Sequence, residues 1–380
     1  MKILHTSDLH IGKRINEYSM LEEQEHILEQ IIGIAKEEQT DAVILAGDIY
    51  DKNVPSAEAV CLFDKFLVNL VQQGIAIFII SGNHDSAERI AFGSEIMKSS
   101  KVYLSPVYNG KTEPIILNDG KTEAAFYLLP FIKPSTVRYF AEEETELKSY
   151  NEAMQYVIKH LDINKERTNI LITHQFITGS TTSESEECIV GGLDNIDAVL
   201  FEDFDYVALG HLHRPQFCGR ETVRYSGTPL KYSFSEANDR KSVTIVEING
   251  KNAPVISERP LVPKHEWFDL KGSYNQLVEK SYYDGKGYQE AFVRITLTDE
   301  DDIPDGMRKL KSIYHRLMEL HYDNKRTRAG ITLIGSRKNV NAIKPDEVFC
   351  ELFEKQNAQP MSEEQKNYLN KIIDIIFNGQ

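Results

Sequence analysis

The chain has 380 residues, of which 41% are hydrophobic and 27% charged, and its formal net charge is −15. This length allows two or three domains with buried cores. We find no charged and then apolar signal pattern at the N-terminus, and the apolar runs of about six residues are too short for a membrane span, which needs about 20. We therefore expect a cytoplasmic globular protein without a membrane segment.

Composition also limits the redox chemistry and the partners. The four cysteines contain no close pair, which argues against a disulfide framework and against a thiolate zinc site. We expect them to be reduced and buried. The negative net charge by itself argues against a nucleic-acid partner, because phosphate binding normally requires a basic surface. The cysteines are Cys61, Cys188, Cys218 and Cys350.

The first 80 residues alternate between strand and helix patterns. Residues 22–36 and 55–74 carry apolar positions at helical spacing, and the second region opens at Pro55 and stops at Gly74. Each predicted helix connects two apolar runs, which indicates βαβ units and a largely parallel sheet. In the second helix we expect the inward residues Val60, Phe63, Phe66, Leu67, Leu70 and Val71.

The middle of the chain continues this α/β pattern with more turns. Residues 102–131 alternate short β-like segments with Asn109-Gly110 and Asp119-Gly120, so we expect hairpins on the same sheet system. Residues 152–161 predict another helix, and the polar segment 178–187 predicts a mobile loop beside the strand ends described below. Further strands extend this domain, predicted as residues 1–263.

The last third of the chain has a different texture. Residues 264–344 predict a small α+β cap domain, and residues 345–380 predict two helices, 346–355 and 362–377. Ser362 and Gln365 form a capping box at the start of the second helix. Its apolar stripe would pack either on the body of the protein or on another chain. The stripe consists of Leu369, Ile372, Ile373 and Ile376.

Positive charge is concentrated between residues 303 and 344. This segment holds ten Lys/Arg against three Asp/Glu, a local net charge of +7. Both a solvated helix face and a phosphate-binding surface would explain such a cluster. The cations of this cluster that would contact phosphates are Lys309, Arg316, Lys325, Arg326 and Arg328.

Five apolar runs end in Asp, Asn or His. In an open α/β sheet, ligands bind beyond the carboxyl ends of the strands. Oxygen and imidazole ligands suit borderline divalent metals. Two ions about 3.5 to 4 Å apart would need a bridging carboxylate and two sets of terminal ligands, and Asp48 is the predicted bridge. The predicted terminal ligands are Asp8, His10 and His213 for one ion, and Asn83, His174 and His211 for the other.

Each of these residues also has an ordinary explanation when taken alone. A lone histidine at a strand end is usually a hydrogen-bonded residue, and Asn83 could be a turn residue. Next to Asn83, His84 could protonate a leaving oxygen or neutralise a phosphate. Asp51 and Asp85 could orient a histidine or a water, or could be surface carboxylates.

The motifs at the ends of the five apolar runs resemble, in order and in chemistry, those of the calcineurin-like metallophosphoesterase superfamily. They are Asp8-x-His10, Gly47-Asp48-x-x-Asp51, Gly82-Asn83-His84-Asp85, His174 and Gly210-His211-x-His213. Within this superfamily, residues 1–240 are similar to the SbcD family of nuclease subunits. The fold that the resemblance implies is an α/β sandwich of two sheets flanked by helices, with a small α+β cap and C-terminal helices. The segments that carry the resemblance are Thr6 to Gly12, Phe204 to His213, Tyr225 to Leu230 and Ser233 to Glu236.

The resemblance also implies a function. Such proteins are manganese-dependent DNA nucleases with two metal ions, which process double-stranded ends and open hairpins together with an SbcC-type ATPase in recombination and repair. It implies a homodimer through helices near the site, here residues 55–73 and 86–98, and docking of the C-terminal helices on the ATPase. A small-molecule phosphodiesterase or phosphomonoesterase would share the metal core. A non-cleaving scaffold would lack Asp48, His84 or His213, and all three are present.

Overall fold

A computed structural model of the chain describes residues 1–142, 146–186, 195–331, 349–350, 352–354 and 360–377. The chain divides into two compact units, Met1–His265 and Glu266–Gln380. The predicted domain limits at residues 263 and 344 remain predictions. Among the described residues, no helix combines the length and the apolar character that crossing a membrane requires.

The strands form two six-stranded sheets, one three-stranded sheet and a small two-stranded ribbon. In chain order they are β1 Lys2–Thr6, β2 Arg14–Ile15, β3 Tyr18–Ser19, β4 Ala42–Ala46, β5 Ala76–Ile80, β6 Val102–Leu104, β7 Ile115–Asn118, β8 Glu123–Leu129, β9 Thr168–His174, β10 Tyr206–Gly210, β11 Gln216–Cys218, β12 Arg220–Tyr225, β13 Ser242–Glu247, β14 Val255–Pro260, β15 Trp267–Gly272, β16 Phe292–Leu297 and β17 Arg316–Tyr322.

Helices connect these strands and cover the sheets. They are α1 Leu21–Glu37, α2 Ala57–Gln72, α3 Ala87–Ile90, α4 Ser94–Met97, α5 Pro134–Phe140, α6 Tyr150–Lys159, α7 Tyr274–Val278, α8 Lys280–Tyr283, α9 Gly306–Lys311, α10 Lys325–Ile331 and α11 Glu363–Phe377.

In the first unit the two six-stranded sheets have the orders β14-β13-β1-β4-β5-β6 and β11-β12-β10-β9-β8-β7. The neighbours β1, β4 and β5 are parallel, and so are β8, β9 and β10. Strands β4, β5, β9 and β10 are buried along their whole length, as expected for strands in the middle of a covered parallel sheet. The predicted α/β class and the βαβ units are confirmed.

A shared hydrophobic core joins the two sheets. It combines residues of β1, β4 and β5 with residues of β8, β9 and β10. At its centre the rings of Phe78 and Phe126 stack with their centroids 4.0 Å apart. Face-to-face packing of two sheets holds the carboxyl ends of both sets of parallel strands in fixed positions.

Three sequence predictions in this unit are wrong. Residues 102–131 do not form hairpins on one sheet: β6 pairs in parallel with β5, whereas only β7 and β8 form a hairpin, in the other sheet. Val60 is 44% exposed, because the buried face of α2 runs through Ala59, Phe63, Phe66 and Leu70. Cys61 is exposed for the same reason. Of the other cysteines, Cys218 is buried as predicted, Cys350 is half-buried, and Cys188 lies outside the described residues.

The second unit has the predicted alternation of strands and helices. Strands β15, β16 and β17 form a parallel sheet, and the core beneath α7 and α9 contains Leu277, Leu310 and Tyr314. The capping box before α11 is confirmed: Ser362 N–H donates to Gln365 Oε1 (2.9 Å), and Gln365 N–H donates to Ser362 Oγ (3.3 Å). Half of the ten residues of the predicted helix at 346–355 lie outside the described residues.

We predict that Phe78→Ala lowers the free energy of unfolding by about 3 to 5 kcal/mol, because it removes a fully buried ring between the sheets and leaves a cavity. Chemical denaturation measures this loss. The matched control is Phe217→Ala, since Phe217 is 55% exposed and its change should stay within about 0.5 kcal/mol. Equal losses in the two variants would contradict the proposed core.

Candidate metal centre

The two sheets bring their polar strand ends to one place. Potential metal ligands lie within 4.8 Å of one another in three overlapping groups, which share Asp8, His10 and Asp48. Asn83 joins them, because its Oδ1 lies 3.0 Å from His174 Nε2 and 3.0 Å from His211 Nδ1. The groups are Asp8, His10 and His213; His10, Asp48 and His84; and Asp8, Asp48 and His174.

The backbone is strained where these side chains emerge. Asp8, His10 and Asp48 have φ angles of 54°, 44° and 50°, and His211 has a φ angle of 105°. L-residues rarely adopt this left-handed region, and such conformations persist only where the surroundings hold them. The surroundings here are paired loops: Asp8 N–H donates to the Gly47 carbonyl and His10 N–H to the Asp48 carbonyl, both at 3.0 Å.

Glycines permit the close approach of these loops. A Cβ at Gly82 would lie 2.1 Å from Asp48 Oδ1, and a Cβ at Gly210 would lie 1.9 Å from the Ala46 carbonyl oxygen. Contacts below 3.0 Å require the neighbour to move, and here the neighbours are the site carboxylate and the backbone that leads to it. The Gly-Asn and Gly-His pairs are therefore steric requirements of the site.

Asp48 lies between the two halves of the cluster. Its Oδ2 is 3.8 Å from His10 Nε2 and 3.4 Å from His174 Nε2. The rings of His10 and His213 lie on one side, with centroids 5.3 Å apart, and those of His174 and His211 on the other, 5.2 Å apart. This geometry is what a bridging carboxylate requires. The division of the ligands between two ions remains a prediction.

The donor chemistry of the site fits divalent cations. His174 Nδ1–H donates to the Ala46 carbonyl (2.8 Å), so that in the neutral ring the Nε2 lone pair faces the oxygen of Asn83 at 3.0 Å. Two acceptors in such contact need a proton or a cation between them. Both ring nitrogens of His10 are buried and lack a hydrogen-bond partner among the described residues. Buried polar atoms without partners are rare and commonly indicate an ion or a water.

Electrostatics support the same conclusion. Burial acts to lower the pKa of His174, but the Asp48 carboxylate raises it to about 9. Burial acts to raise the pKa of Asp48, yet the charge of His174 holds it below its ordinary value. Burial and the positive His174 lower the pKa of His211 to about 3, and burial lowers that of His10 well below its ordinary value. His10 and His211 are therefore neutral and Asp48 is ionised, which are the forms that bind metals, whereas His174 carries a proton that a bound cation would replace.

His84, Asp51 and Asp85 lie next to the candidate ligands and differ in what they contact. His84 Nδ1–H donates to the Asp51 carbonyl (3.2 Å), and its backbone N–H donates to Asp48 Oδ1 (2.9 Å). The Asp51 carboxylate pairs with Lys13 at 2.8 Å and lies 4.0 Å from His10 Nδ1. Asp51 therefore lies beside His10 without bonding to it.

Asp85 acts on the backbone. Its carboxylate accepts hydrogen bonds from the N–H groups of Ile49, Tyr50 and Gly82, each at 3.0 Å. It ties the loop after β4 to the loop after β5, so it shapes the site without orienting a histidine. Burial and the nearby Asp48 raise its pKa to about 6.

Sequence reasoning missed two groups of supporting residues. Gln24 in α1 donates to the His10 carbonyl (2.7 Å), and Tyr232 donates to the Leu9 carbonyl (2.5 Å). A polar residue within the apolar stripe of a helix was the available signal for Gln24. The second group, beside His213, consists of Ser185, Glu186, Glu236 and Lys241. The described part of the predicted 178–187 loop therefore does reach the site, and its mobility remains a prediction.

The candidate DNA contacts all lie in the second unit. Lys309 is in α9, Arg316 in β17, and Lys325, Arg326 and Arg328 in α10. Several have acidic partners: Arg316 pairs with Glu290, Arg326 with Asp302 and Arg328 with Asp323. The local charge counted along the sequence is thus partly neutralised by acids, some of which lie before residue 303.

We predict that Mn²⁺ stabilises the protein, by about 2.7 kcal/mol at a concentration 100 times the dissociation constant. Asp48→Asn should lose most of this effect, because it removes the charge that faces both halves of the site. Thermal unfolding with Mn²⁺ and with EDTA measures it, and Asp162→Asn is the control, since Asp162 is exposed. A full Mn²⁺ effect in Asp48→Asn would contradict the site.

Comparisons with known proteins agree with this geometry. Residues 1–215 match the calcineurin-like phosphoesterase family, and residues 268–357 match a family described as type 5 capsule protein repressor C-terminal domain. The SbcD subunit of the SbcCD nuclease of Staphylococcus epidermidis is 36% identical over 84% of this chain and 85% of its own length. The corresponding SbcD subunit of Staphylococcus saprophyticus is 33% identical over 84% of both chains.

Among solved structures, a dimetal phosphatase from Danio rerio covers 69% of this chain and 97% of its own, with 13% identity and a TM-score of 0.45. The family match covers more than half of the chain, and two relatives more than 30% identical cover most of it. The chain therefore belongs to the calcineurin-like phosphoesterase family and, within it, to the SbcD family of SbcCD nuclease subunits.

Proposed function

We propose that this protein is a metal-dependent DNA nuclease that acts with an SbcC-type ATPase in end processing, recombination and repair. It is a hydrolase of phosphodiester bonds. The observation that carries the proposal is the convergence of carboxylate, amide and imidazole ligands around Asp48, in a chain whose relatives are named SbcCD nuclease subunits. Its location in the cytoplasm remains a prediction.

Seven residues would hold two divalent ions, and we propose manganese. Imidazole, amide and carboxylate ligands suit first-row divalent metals. When bound, such a pair supplies Lewis-acid stabilisation of the attacking and leaving oxygens in phosphodiester hydrolysis. The residues are Asp8, His10, Asp48, Asn83, His174, His211 and His213.

His84 is the proposed catalytic residue. It is half-buried, its Nδ1–H is held by the Asp51 carbonyl, and its ring lies 4.9 Å from that of His10. This leaves Nε2 as the nitrogen that can carry a proton to the leaving oxygen or bind a phosphate oxygen. Imidazole is the side chain that most often serves as a general acid in enzymes.

The second unit favours DNA over a small phosphoester. A small-molecule phosphatase needs no further domain with a basic cluster. Lys309 is exposed and has no ion-pair partner among the described residues, whereas the arginines of α10 form exposed pairs. Exposed pairs contribute about 0 to 1 kcal/mol, so phosphates can replace their carboxylate partners at little cost. We propose Lys309, Arg316, Lys325, Arg326 and Arg328 as DNA contacts.

We also propose a homodimer through the helices beside the site. Apolar side chains on and around α2, α3 and α4 are exposed: Phe92 by 83%, Ile96 by 80% and Val54 by 68%. Val60, 44% exposed, adds to this surface. Exposed apolar side chains concentrated in one region commonly mark protein interfaces. A dimer contact at this surface would also explain why Val60 faces outward.

The last helix is the proposed contact with the ATPase. In α11, Tyr368 is 69% and Ile372 37% exposed, while Leu369 and Ile373 are half-buried. Phe349 and Leu352, just before it in the chain, are also exposed. An amphipathic helix of this kind can bind a hydrophobic groove or a coiled coil.

We predict that the purified protein with Mn²⁺ cleaves linear and hairpin DNA, and that Asp48→Asn abolishes cleavage. His84→Gln should lower the rate by about 10²-fold or more at saturating metal, because it removes a proton donor. Gel assays of labelled DNA measure these rates, and a chromogenic diester tests the chemistry independently of DNA.

Asp162→Asn is the control and should cleave normally. Diester hydrolysis without DNA cleavage, even after the ATPase is added, would favour the small-molecule alternative. Equal rates for His84→Gln and the wild type would remove His84 from the mechanism.

For the tail, we predict that the double variant Leu369→Glu, Ile373→Glu loses association with the ATPase and retains cleavage of single-stranded DNA. Charges on the apolar face would have to be desolvated in the interface. Size-exclusion chromatography of the mixed proteins measures association. Asn367→Glu, an exposed position of the same helix, is the control. Retained association of the double variant would refute this interface.

A further inference from the structure

One site histidine is held in an unusual way. His213 is 2% exposed, and its Nδ1 lies 2.6 Å from Ser185 Oγ. Its backbone N–H donates to Glu186 Oε1 at 2.5 Å. Both contacts come from the loop that follows β9, 27 and 28 residues away in the chain. The ring and the backbone of His213 are therefore both held by the loop that contains Ser185 and Glu186.

The direction of the hydrogen bonds follows from Glu236. This carboxylate is fully buried, and its Oε2 accepts from Lys241 Nζ at 2.6 Å. Paired with a buried ammonium, it is ionised and can only accept. Ser185 has one hydroxyl proton and donates it to Glu236 Oε1 at 2.5 Å. Its oxygen must then accept from His213 Nδ1–H, which leaves the lone pair on His213 Nε2.

Two other histidines of the site, His174 and His84, are fixed differently. His174 Nδ1–H donates to the carbonyl of Ala46, and His84 Nδ1–H to that of Asp51. In both, the acceptor is a backbone carbonyl, at the end of β4 or in the loop that follows it. His213 instead depends on a side chain, so its tautomer can be changed by one substitution that leaves the strands intact.

The loop around Ser185 is itself held in place. Thr181 N–H donates to Gln216 Oε1 (2.9 Å), and Gln216 Nε2–H donates back to the Thr181 carbonyl (2.8 Å). Glu184 N–H donates to Ser235 Oγ (3.2 Å). These bonds tie the loop to two points of the chain that follows His213, and none of them uses the Ser185 hydroxyl.

We propose that Ser185 is a positioning residue for the metal centre: bridging Glu236 and His213, it fixes the tautomer in which His213 Nε2 binds the ion shared with Asp8 and His10. The inference rests on the proposed metal site. Groups that orient a ligand histidine typically change metal affinity by 10- to 100-fold when they are removed.

The test is Mn²⁺ binding to the full chain by titration calorimetry, with the Co²⁺ visible spectrum as a report on the ligand geometry. Ser185→Ala should bind one of the two ions about 10- to 100-fold more weakly and change the spectrum, whereas Ser185→Thr, which retains the hydroxyl, should restore both. Ser180→Ala is the matched control, because Ser180 lies in the same loop as Ser185 and its hydroxyl contacts Cys218 in β11.

Wild-type affinity and spectrum in Ser185→Ala would overturn the proposal. An equal loss in Ser180→Ala would do the same, since it would trace the effect to the loop as a whole. Cleavage assays at rising Mn²⁺ should show that Ser185→Ala needs more metal while its rate at saturation stays near that of the wild type. Because the binding measurements use no DNA, they are independent of the proposed nuclease function.

Discussion

The concentration of lone pairs around the Asp48 carboxylate is the constraint on which the rest of the site depends. Asp48 Oδ2 faces His10 and His174, and His174 Nε2 also faces the oxygen of Asn83 at 3.0 Å. Without a cation these acceptors repel one another, and in the metal-free chain the protonated His174 offsets this repulsion. The left-handed backbone at Asp48 and the missing Cβ of Gly82 are what bring these atoms so close.

Residues around the candidate ligands hold the loops of the site in place. Asp85 accepts hydrogen bonds from three backbone N–H groups in two loops, and Gln24 donates to the His10 carbonyl. Ser185 forms a hydrogen bond with the His213 ring. Most of these contacts join segments that are distant in sequence. A catalytic geometry built on loop ends needs such support, because the loops themselves have few regular hydrogen bonds.

The DNA contacts proposed for the second unit explain how a net-acidic chain can bind nucleic acid. The cations of this unit form exposed pairs with neighbouring acids, as Arg326 does with Asp302 and Arg328 with Asp323. Such pairs are worth little in water and exchange readily for phosphates, which release condensed counterions when they bind. On this proposal, the local arrangement of charge governs the affinity for nucleic acid more than the total of −15 does.

The sequence by itself determined the α/β class, the βαβ order and the candidate ligands. Helical spacing of apolar residues indicates the helices, and apolar runs that end in Asp, Asn or His indicate both the strands and the ligands. Only the tertiary structure decided which sheet each strand joins, as for β6 and β7, and which face of α2 is buried, because these depend on contacts between distant segments. The same holds for Ser185 and Glu236: hydrogen bonds over 28 and 51 residues leave no pattern in the local sequence.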